Sequence, residues 1–224
     1  MEEKQMTLCA DATEKLYYKD SHMKGFTATV ISCGSGKKGY QVVLDRTAFF
    51  PEGGGQFGDI GWLNDVEGFD THEKNGVVYH YTKEPLEAGI TVEGKLNFEE
   101  RFSRMQQHTG EHIVSGIVHQ LYGYDNVGFH LGADVTTLDF NGELMPEQVQ
   151  DLELRANQAV FANIPVQVMY PTKEELKELE YRSKIEIEGQ VRIVSIPGCD
   201  ICACCAPHMN TTGEIGLIKI LACD

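Results

Sequence analysis

The chain has 224 residues, 42% of them hydrophobic, and its 34 acidic residues outnumber 19 basic ones to give a formal net charge of −15. The hydrophobic content excludes an intrinsically disordered protein. The acidic balance argues against a nonspecific nucleic-acid binder, because such binding depends on lysine and arginine at the phosphates, but it allows an enzyme that grips a nucleic acid at one end. No segment approaches the ~20 apolar residues of a membrane span, and the N-terminus lacks a signal-peptide pattern, so we expect a cytoplasmic protein.

Short alternating segments separated by glycines fill the chain from Thr7 to about Asn97. Four of them predict strands: Phe26–Ile31, Tyr40–Leu44, Val77–Tyr81 and Ile90–Gly94. Many short strands at this spacing favour a small antiparallel barrel, which leaves few strand edges unpaired. We therefore predict an all-β lobe over residues 1–96.

The hydrophobic period changes from two to 3.6 at Leu96–Glu99, which marks the predicted boundary of a second lobe, 97–224. Three helices are predicted there: Glu99–Leu121, one that Pro146 opens and that ends before Pro165, and a short one from the capping box at Thr172 to about Tyr181. Four strands are predicted to alternate with them: Gly132–Phe140, Pro165–Tyr170, Val191–Ile196 and Ile215–Leu221. The second lobe is therefore expected to be α+β.

Two histidine and cysteine pairs share a four-residue spacing. His108 and His112 lie in the first predicted helix of the second lobe, where residues four apart face the same side, so both imidazoles can point at one ion. Cys204 and His208 repeat the spacing near the C-terminus. Three imidazoles and one thiolate would complete a tetrahedral zinc site.

The cysteines around this second pair leave alternatives open. Seven cysteines are present, and four of them fall within residues 199–205, which does not resemble a disulfide framework. Cys205 competes with Cys204 as the liganding thiol, and Cys199 and Cys202 have the Cys-x-x-Cys spacing of a zinc ribbon or redox turn. A purely structural zinc is a further alternative, because catalytic zinc usually keeps one coordination position open.

The third signal is a glycine-rich segment within residues 46–61, whose centre reads Pro-Glu-Gly-Gly-Gly-Gln. Successive glycines let backbone amides approach a ligand closely, and Gln56 adds a side chain that both donates and accepts hydrogen bonds. On composition alone, a plain turn explains the segment equally well.

The three signals together resemble a known family, the freestanding alanyl-tRNA editing proteins of the AlaX type, medium-length class. That family is related to the editing domain of alanyl-tRNA synthetase and, more distantly, to that of threonyl-tRNA synthetase. The glycine-rich segment, His108-x-x-x-His112, Cys204-x-x-x-His208 and the following Thr212–Gly216 carry the resemblance. It implies an N-terminal small antiparallel β-barrel followed by an α+β editing domain like the one shared by the two synthetases.

The resemblance also implies an activity, the hydrolysis of mischarged alanine tRNA at the ester that joins serine or glycine to the terminal ribose. Zinc would either polarise the ester carbonyl and activate water or hold the substrate's amino group, and both roles stay open. The backbone amides of Gly54 and Gly55, with Gln56, would meet developing charge or the ribose. His130 falls where the family has a polar residue of the amino-acid pocket, a surface histidine being the alternative.

Recognition of the serine hydroxyl requires a polar contact in the site. The candidates are Thr47, Gln56, Thr109 and His130. For the tRNA itself, the candidate contacts are the basic residues Lys95, Arg101 and Arg104.

Two other functions fit part of the pattern. The segment from His108 to His112 also matches the H-x-x-E-H pattern of inverted zinc peptidases, in which the glutamate, here Glu111, acts as the base. In the resembling synthetases this position is usually threonine, so Glu111 departs from the family. The non-enzymatic alternative is an RNA-binding module stapled by zinc.

Overall fold

A computed structural model describes residues 12–132, 135–183 and 189–223. Cys9 and the beginning of the predicted β region at Thr7 lie outside these residues. The chain divides into two compact units. The first comprises Phe57–Phe98 and the chain up to Glu52, and the second comprises Gly53–Gln56 and the chain from Glu99 onward. The glycines at 53–55, which the sequence assigned to the first lobe, thus group with the second unit.

The described residues of the first unit, from residue 12 onward, form eight strands and a short 3-10 helix, Leu16–Tyr18. The strands are β1 Glu14–Lys15, β2 Gly25–Gly36, β3 Gly39–Leu44, β4 Arg46–Thr47, β5 Gly61–Leu63, β6 Val66–Lys74, β7 Val77–Thr82 and β8 Thr91–Leu96. Six of them form a closed barrel in the order β2-β3-β7-β6-β5-β8, with every neighbouring pair antiparallel. The four strands predicted from the sequence all overlap this barrel.

Alternation and turn chemistry explain the barrel locally. Along β8, the residues alternate between exposed and buried, as expected of a strand with one face on a core. The β6–β7 hairpin turns at Asn75 and Gly76, whose φ angles of 53° and 81° suit the type I′ turn that matches strand twist. Val30, Val42, Leu44, Phe49, Leu63 and Val92 are among the buried residues of the core.

Within the part of the second unit that the structure describes, there are three helices and two small antiparallel sheets. The helices are α1 Phe98–Tyr122, α2 Pro146–Phe161 and α3 Lys173–Glu178. The strands are β9 Asn126–Leu131, β10 Thr136–Phe140, β11 Gln167–Met169, β12 Ile193–Ile196 and β13 Asp200–Ala203. β9 pairs with β10, and the second sheet has the order β11-β12-β13.

All three helices lie where the sequence predicts them. Pro146 is the first residue of α2, and the Gln148 side chain accepts a hydrogen bond from the Met145 backbone N–H at 2.7 Å. Thr172 and Glu175 form the predicted capping box before α3. Among the described helices, none is long and apolar enough to cross a membrane.

The strand predictions for the second unit are only partly right. The prediction of a strand at Ile215–Leu221 is wrong, because Thr212–Ile215 is a 3-10 helix and the following residues form no strand. The backbone N–H groups of Ile218 and Ile220 instead donate to side chains of α2, which replace a strand partner. Conversely, β9 and β13 were not predicted.

Candidate metal and active site

Four side chains of the second unit converge on one point. His108 and His112 project from α1, and Cys204 and His208 come from the loop that follows β13. One ligand atom from each lies within 4.8 Å of all the others. We call these four residues the ligand cluster. The three imidazoles are buried, with 2–3% of each residue exposed.

The spacing of these atoms fits a tetrahedral zinc ion. Cys204 Sγ lies 3.6 Å from His108 Nε2 and 3.3 Å from His208 Nε2. Zinc holds nitrogen at ~2.0–2.1 Å and thiolate sulfur at ~2.3 Å, so two tetrahedral ligands stand roughly 3.3–3.6 Å apart. The donor set of three nitrogens and one sulfur is one that zinc takes. The ligand cluster therefore matches zinc in both chemistry and spacing.

The other ring nitrogen of each histidine is held by a different outer residue. Gln56 Oε1 lies 3.1 Å from His108 Nδ1, and Asp200 Oδ2 lies 2.9 Å from His112 Nδ1. Both oxygens can only accept, so each Nδ1 donates its proton to its outer partner and Nε2 is the other ring nitrogen. For His208, the outer partner of Nδ1 is the Thr109 hydroxyl at 3.2 Å. The outer partners thus occupy the three Nδ1 atoms, and the three Nε2 atoms are the nitrogens that a metal would bind.

Burial and mutual charge set the protonation of the cluster. Burial raises the pKa of the Cys204 thiol, but the imidazoles of His108 and His208 outweigh it and lower that pKa well below its usual value. Burial lowers the pKa of His208 to about 3. Burial also opposes protonation of His112, yet hydrogen bonds to Asp200 and Cys204 raise its pKa well above the usual value. A metal ion must therefore displace a proton from His112.

The glycine segment lies against the ligand cluster. Gly54 and Gly55 have φ angles of 60° and 81°, in the left-handed region that favours glycine. A Cβ at Gly54 would lie 3.1 Å from Cys205 Sγ, and one at Gly55 would lie 2.4 Å from Phe129 Cδ1. The segment is therefore a turn and also a place where the backbone lies close to neighbouring side chains. The sequence analysis treated these two interpretations as alternatives.

Gln56 joins the glycine segment to the cluster. Its backbone exchanges hydrogen bonds of 3.0 and 3.1 Å with Gly53, which closes the turn. The side chain is 1% exposed, and while Oε1 binds His108, Nε2 has no hydrogen-bond partner within the described part of the chain. A buried amide donor without a partner is costly.

Glu111 is buried beside the cluster. Its Oε1 accepts hydrogen bonds of 2.8 Å from Ser115 Oγ and Asn126 Nδ2. Its Oε2 lies 3.8 Å from His112 Nε2, the ring atom that faces the cluster. The carboxylate is thus oriented by two donors next to the proposed metal position.

The structure does not bring every predicted residue to the cluster. His130 is exposed on β9. Phe129, its neighbour in the strand, packs against His108 with the two ring centroids 5.0 Å apart. Because successive strand residues point to opposite faces, the His130 side chain points away from His108. Thr47 belongs to the first unit, where it is fully buried with its hydroxyl 2.8 Å from His80 Nε2. Arg101 is only 1% exposed, so it is a poor candidate for a phosphate contact.

The cysteine alternatives are also separated. Among the described residues, Cys205 belongs to no group of potential ligands within reach of one another. Cys202 does belong to a second group, with His112 and Asp200. Burial raises the pKa of the Cys202 thiol to about 11, and Arg182 binds both oxygens of Asp200.

Asp200 and Phe129 were missed as site residues. Asp200 stands in the Cys-x-x-Cys segment, four residues before Cys204, so the sequence did place a carboxylate near a ligand. Burial raises the pKa of its carboxyl, but hydrogen bonds with His112 and Arg182 outweigh burial and lower it. No sequence pattern pointed to Phe129, because a lone aromatic residue in a strand is more often part of a core.

Comparison with known proteins bears on the same residues. Residues 191–224, which include Cys204 and His208, match the family model described as the threonyl and alanyl tRNA synthetase second additional domain. The chain is 36% identical over 219 residues to the alanyl-tRNA editing protein AlaX-L of Pyrococcus horikoshii and 32% identical over 226 residues to Aarsd1 of Rattus norvegicus. The resemblance to alanyl-tRNA editing proteins is confirmed.

These matches cover most of this chain but only about half of each editing protein. Each covers 93% of this chain but only 54% of AlaX-L and 55% of Aarsd1, so the chain spans about half the length of these alanyl-tRNA editing proteins. An alanine–tRNA ligase of Halorubrum lacusprofundi is 33% identical over 221 residues, which are 24% of that protein.

Proposed function

We propose that this chain is a trans-editing hydrolase that deacylates mischarged alanine tRNA, cutting the ester of serine or glycine at a zinc-containing site. The observation that carries the proposal is that the ligand cluster and the segment Gly53–Gln56 meet within one unit. Ester hydrolysis needs activation of the carbonyl or water beside donors for developing charge. The names of the relatives, alanyl-tRNA editing proteins, support this substrate class.

Zinc is the proposed cofactor, held by His108, His112, Cys204 and His208. When bound, zinc supplies Lewis-acid polarisation of the ester carbonyl or lowers the pKa of water. Four protein donors fill a tetrahedral ion, so direct activation requires displacement of one donor or expansion to five-fold coordination. If neither occurs, the ion's role is to anchor the site.

The glycine segment binds and orients the ester in this proposal. The amides of Gly54 and Gly55 approach the substrate because neither residue carries a Cβ. Gln56 has two tasks: Oε1 holds His108, and Nε2 donates to an oxygen of the ester or the ribose. A donor that is fixed before the reaction stabilises developing charge without reorganisation.

Glu111 is the proposed general base. Ser115 and Asn126 orient the carboxylate, and its Oε2 lies 3.8 Å from His112 Nε2, where it would take a proton from water near the cluster. We retain His130 as a proposed substrate contact on the exposed face of β9. It is not part of the buried arrangement around His108.

Residues 97–224, joined by the segment Gly53–Gln56, form the editing domain in this proposal, and the rest of residues 1–96 form the barrel domain. The partner is mischarged alanine tRNA, and the proposed location is the cytoplasm.

Deacylation assays test the function directly. Zinc-loaded protein is incubated with one alanine tRNA charged in turn with serine, glycine and alanine, and the released amino acid is measured. We expect release of serine or glycine well above that of alanine, and loss of both zinc and release in a His108→Ala/Cys204→Ala double variant.

Two outcomes would replace the proposal. Cleavage of a peptide library with intact Ser-tRNA would indicate the zinc peptidase. Binding of tRNA without release of any amino acid would indicate the RNA-binding module.

A further inference from the structure

Asp200 is bound from two sides by side chains far apart in the sequence. Its Oδ2 lies 2.9 Å from His112 Nδ1. Arg182 donates from Nε to Oδ1 at 2.7 Å and from Nη2 to Oδ2 at 2.9 Å. Asp200 is 4% exposed, and the Arg182 side chain is 12% exposed. The three residues therefore form a buried row from guanidinium to carboxylate to imidazole.

Backbone hydrogen bonds fix Arg182 to β13, the strand that carries Asp200. The Arg182 N–H donates to Ile201 O at 2.8 Å, and the Ala203 N–H donates to Arg182 O at 2.9 Å. Arg182 is thus paired with the strand that begins at Asp200. Its side chain returns along that strand to the carboxylate. Neither partner can shift without breaking backbone pairing.

The two parallel hydrogen bonds set the plane of the carboxylate. A guanidinium fork that binds both oxygens leaves the carboxylate no freedom to rotate about its Cβ–Cγ bond. The position of Oδ2 then decides where the His112 Nδ1–H must point. The direction of Nδ1 in turn fixes Nε2 on the opposite side of the ring, towards the ligand cluster.

We infer that Arg182 is a positioning residue, which acts through Asp200 to hold His112 Nε2 towards the ligand cluster. This inference rests on the metal site of the proposed function. His108 is held by a neutral amide and His208 by a hydroxyl. Among the three histidines of the cluster, His112 alone has an outer partner that is itself locked by an ion pair. We therefore assign His112 as the best-oriented ligand of the cluster.

Zinc affinity in the absence of tRNA tests the inference. The dissociation constant is measured by competition with a chromophoric chelator for wild type, Asp200→Asn, Arg182→Met and the double variant. We expect Asp200→Asn to weaken zinc binding by about 10–100-fold, the range for loss of an outer partner. Arg182→Met should weaken it by at least about fivefold on the same grounds. The double variant should be no weaker than Asp200→Asn, because Arg182 acts through Asp200.

The chain offers a matched control. Arg155 and Asp151 form an Arg–Asp pair at 2.6 Å on the exposed face of α2, and Arg155→Met and Asp151→Asn should leave zinc affinity unchanged. If Arg182→Met fails to fold, Arg182→Lys keeps the charge but loses the fork, and it should still weaken zinc binding. Ring-nitrogen NMR of the zinc-loaded protein should show a changed His112 signal in the Arg182 variant.

Three results would overturn the inference: wild-type zinc affinity in Arg182→Met or Arg182→Lys, an unaltered His112 signal, or additive losses in the double variant. Failure of the proposed function is recognised separately. A protein that binds zinc as described but leaves Ser-tRNA intact refutes the editing activity and leaves the role of Arg182 standing.

Discussion

Each histidine of the ligand cluster is oriented by a hydrogen bond on its outer nitrogen, and the three outer partners differ in chemistry. A carboxylate, an amide oxygen and a hydroxyl hold His112, His108 and His208 respectively. Orientation by outer partners matters because a ring rotated out of place presents the wrong nitrogen to the metal. The four-residue spacing in the sequence predicted the four members of the ligand cluster, which the structure brings together. It could not identify these partners, which come from distant segments.

At Gly54, a side chain should damage activity more than stability. Gly54→Val places a branched side chain at φ 60° and within 3.1 Å of Cys205 Sγ. Loss of an amide contact to developing charge costs ~10²–10³ in rate at comparable sites. We expect Ser-tRNA hydrolysis at least about tenfold slower, with zinc retained.

The control for this change is Gly89→Val. Gly89 has a φ of 87°, and a Cβ at this position would meet nothing within 4 Å, so the substitution carries the backbone strain without the crowding. Both variants should lower the melting temperature, while only Gly54→Val should slow deacylation. Equal rates of Ser-tRNA deacylation in the two variants would show that the glycine segment is only a turn, with no role in the reaction.

His80 is a buried histidine of the barrel, and it makes the stability of the first unit sensitive to acid. Burial lowers the pKa of His80 to about 4, although its hydrogen bond to Val42 O opposes the shift. Below pH ~6.5 the unfolded chain takes up a proton that the folded chain refuses until about pH 4, so stability falls with pH over this window. At ~1.4 kcal/mol per pH unit, the loss approaches about 3 kcal/mol.

Denaturant unfolding at several pH values measures this contribution. His80→Gln keeps polar atoms near Thr47 and removes the titrating ring. It should be less stable than wild type at pH 7 and should lose less stability between pH 6.5 and pH 4. Parallel curves for the two proteins would show that His80 is not responsible.

The elements differ in how well their own sequence specifies them. α1, α2 and α3 follow from period and capping, because both signals are local. The segment after Thr212 reads as a strand, yet Asn157 binds Ile218 through both backbone groups, at 2.7 Å to its O and 3.0 Å to its N. Glu153 Oε2 accepts from the Ile220 N–H at 2.7 Å. Alternation in the sequence does not distinguish a segment that pairs with helix side chains from a strand.

Removal of the Asn157 side chain should loosen this segment without unfolding α2. Asn157→Ala deletes both hydrogen bonds to Ile218, each worth about 0.5–1.5 kcal/mol, and alanine favours the helix. Hydrogen exchange at the Ile218 and Ile220 amides should accelerate at least about tenfold. Arg155→Ala, on the same helix, is the control and should leave both amides protected. Unchanged exchange in Asn157→Ala would mean that other contacts hold the segment.

On the scale of the whole molecule, composition and motifs supplied different parts of the answer. Charge and cysteine usage excluded broad classes of protein, and the order of the motifs indicated the family. The meeting of Gln56, α1 and the loop after β13 depends on chain paths that no local pattern encodes. For the same reason, the sequence predicted Arg101 as a tRNA contact, whereas this residue is buried in the structure.

The net charge of −15 predicts weak tRNA binding with a shallow salt dependence. Each phosphate neutralised by a basic side chain adds ~0.9 to the slope of log affinity against log salt on a duplex. With Arg101 buried and Arg104 paired with Glu100, few candidates remain, of which Lys95 is exposed. About three contacts would reduce affinity roughly 50-fold between 50 and 200 mM salt, whereas ten would reduce it by about 10⁵.

Titration of alanine tRNA at several salt concentrations decides between these values. Lys95→Ala should weaken binding and lower the slope by about one if this side chain neutralises a phosphate. Lys74→Ala removes another exposed lysine of the barrel and serves as the control, with wild-type slope expected. A wild-type slope that corresponds to ten or more phosphates would contradict the prediction, because the chain would then bind tRNA through a basic surface that its composition gives no reason to expect.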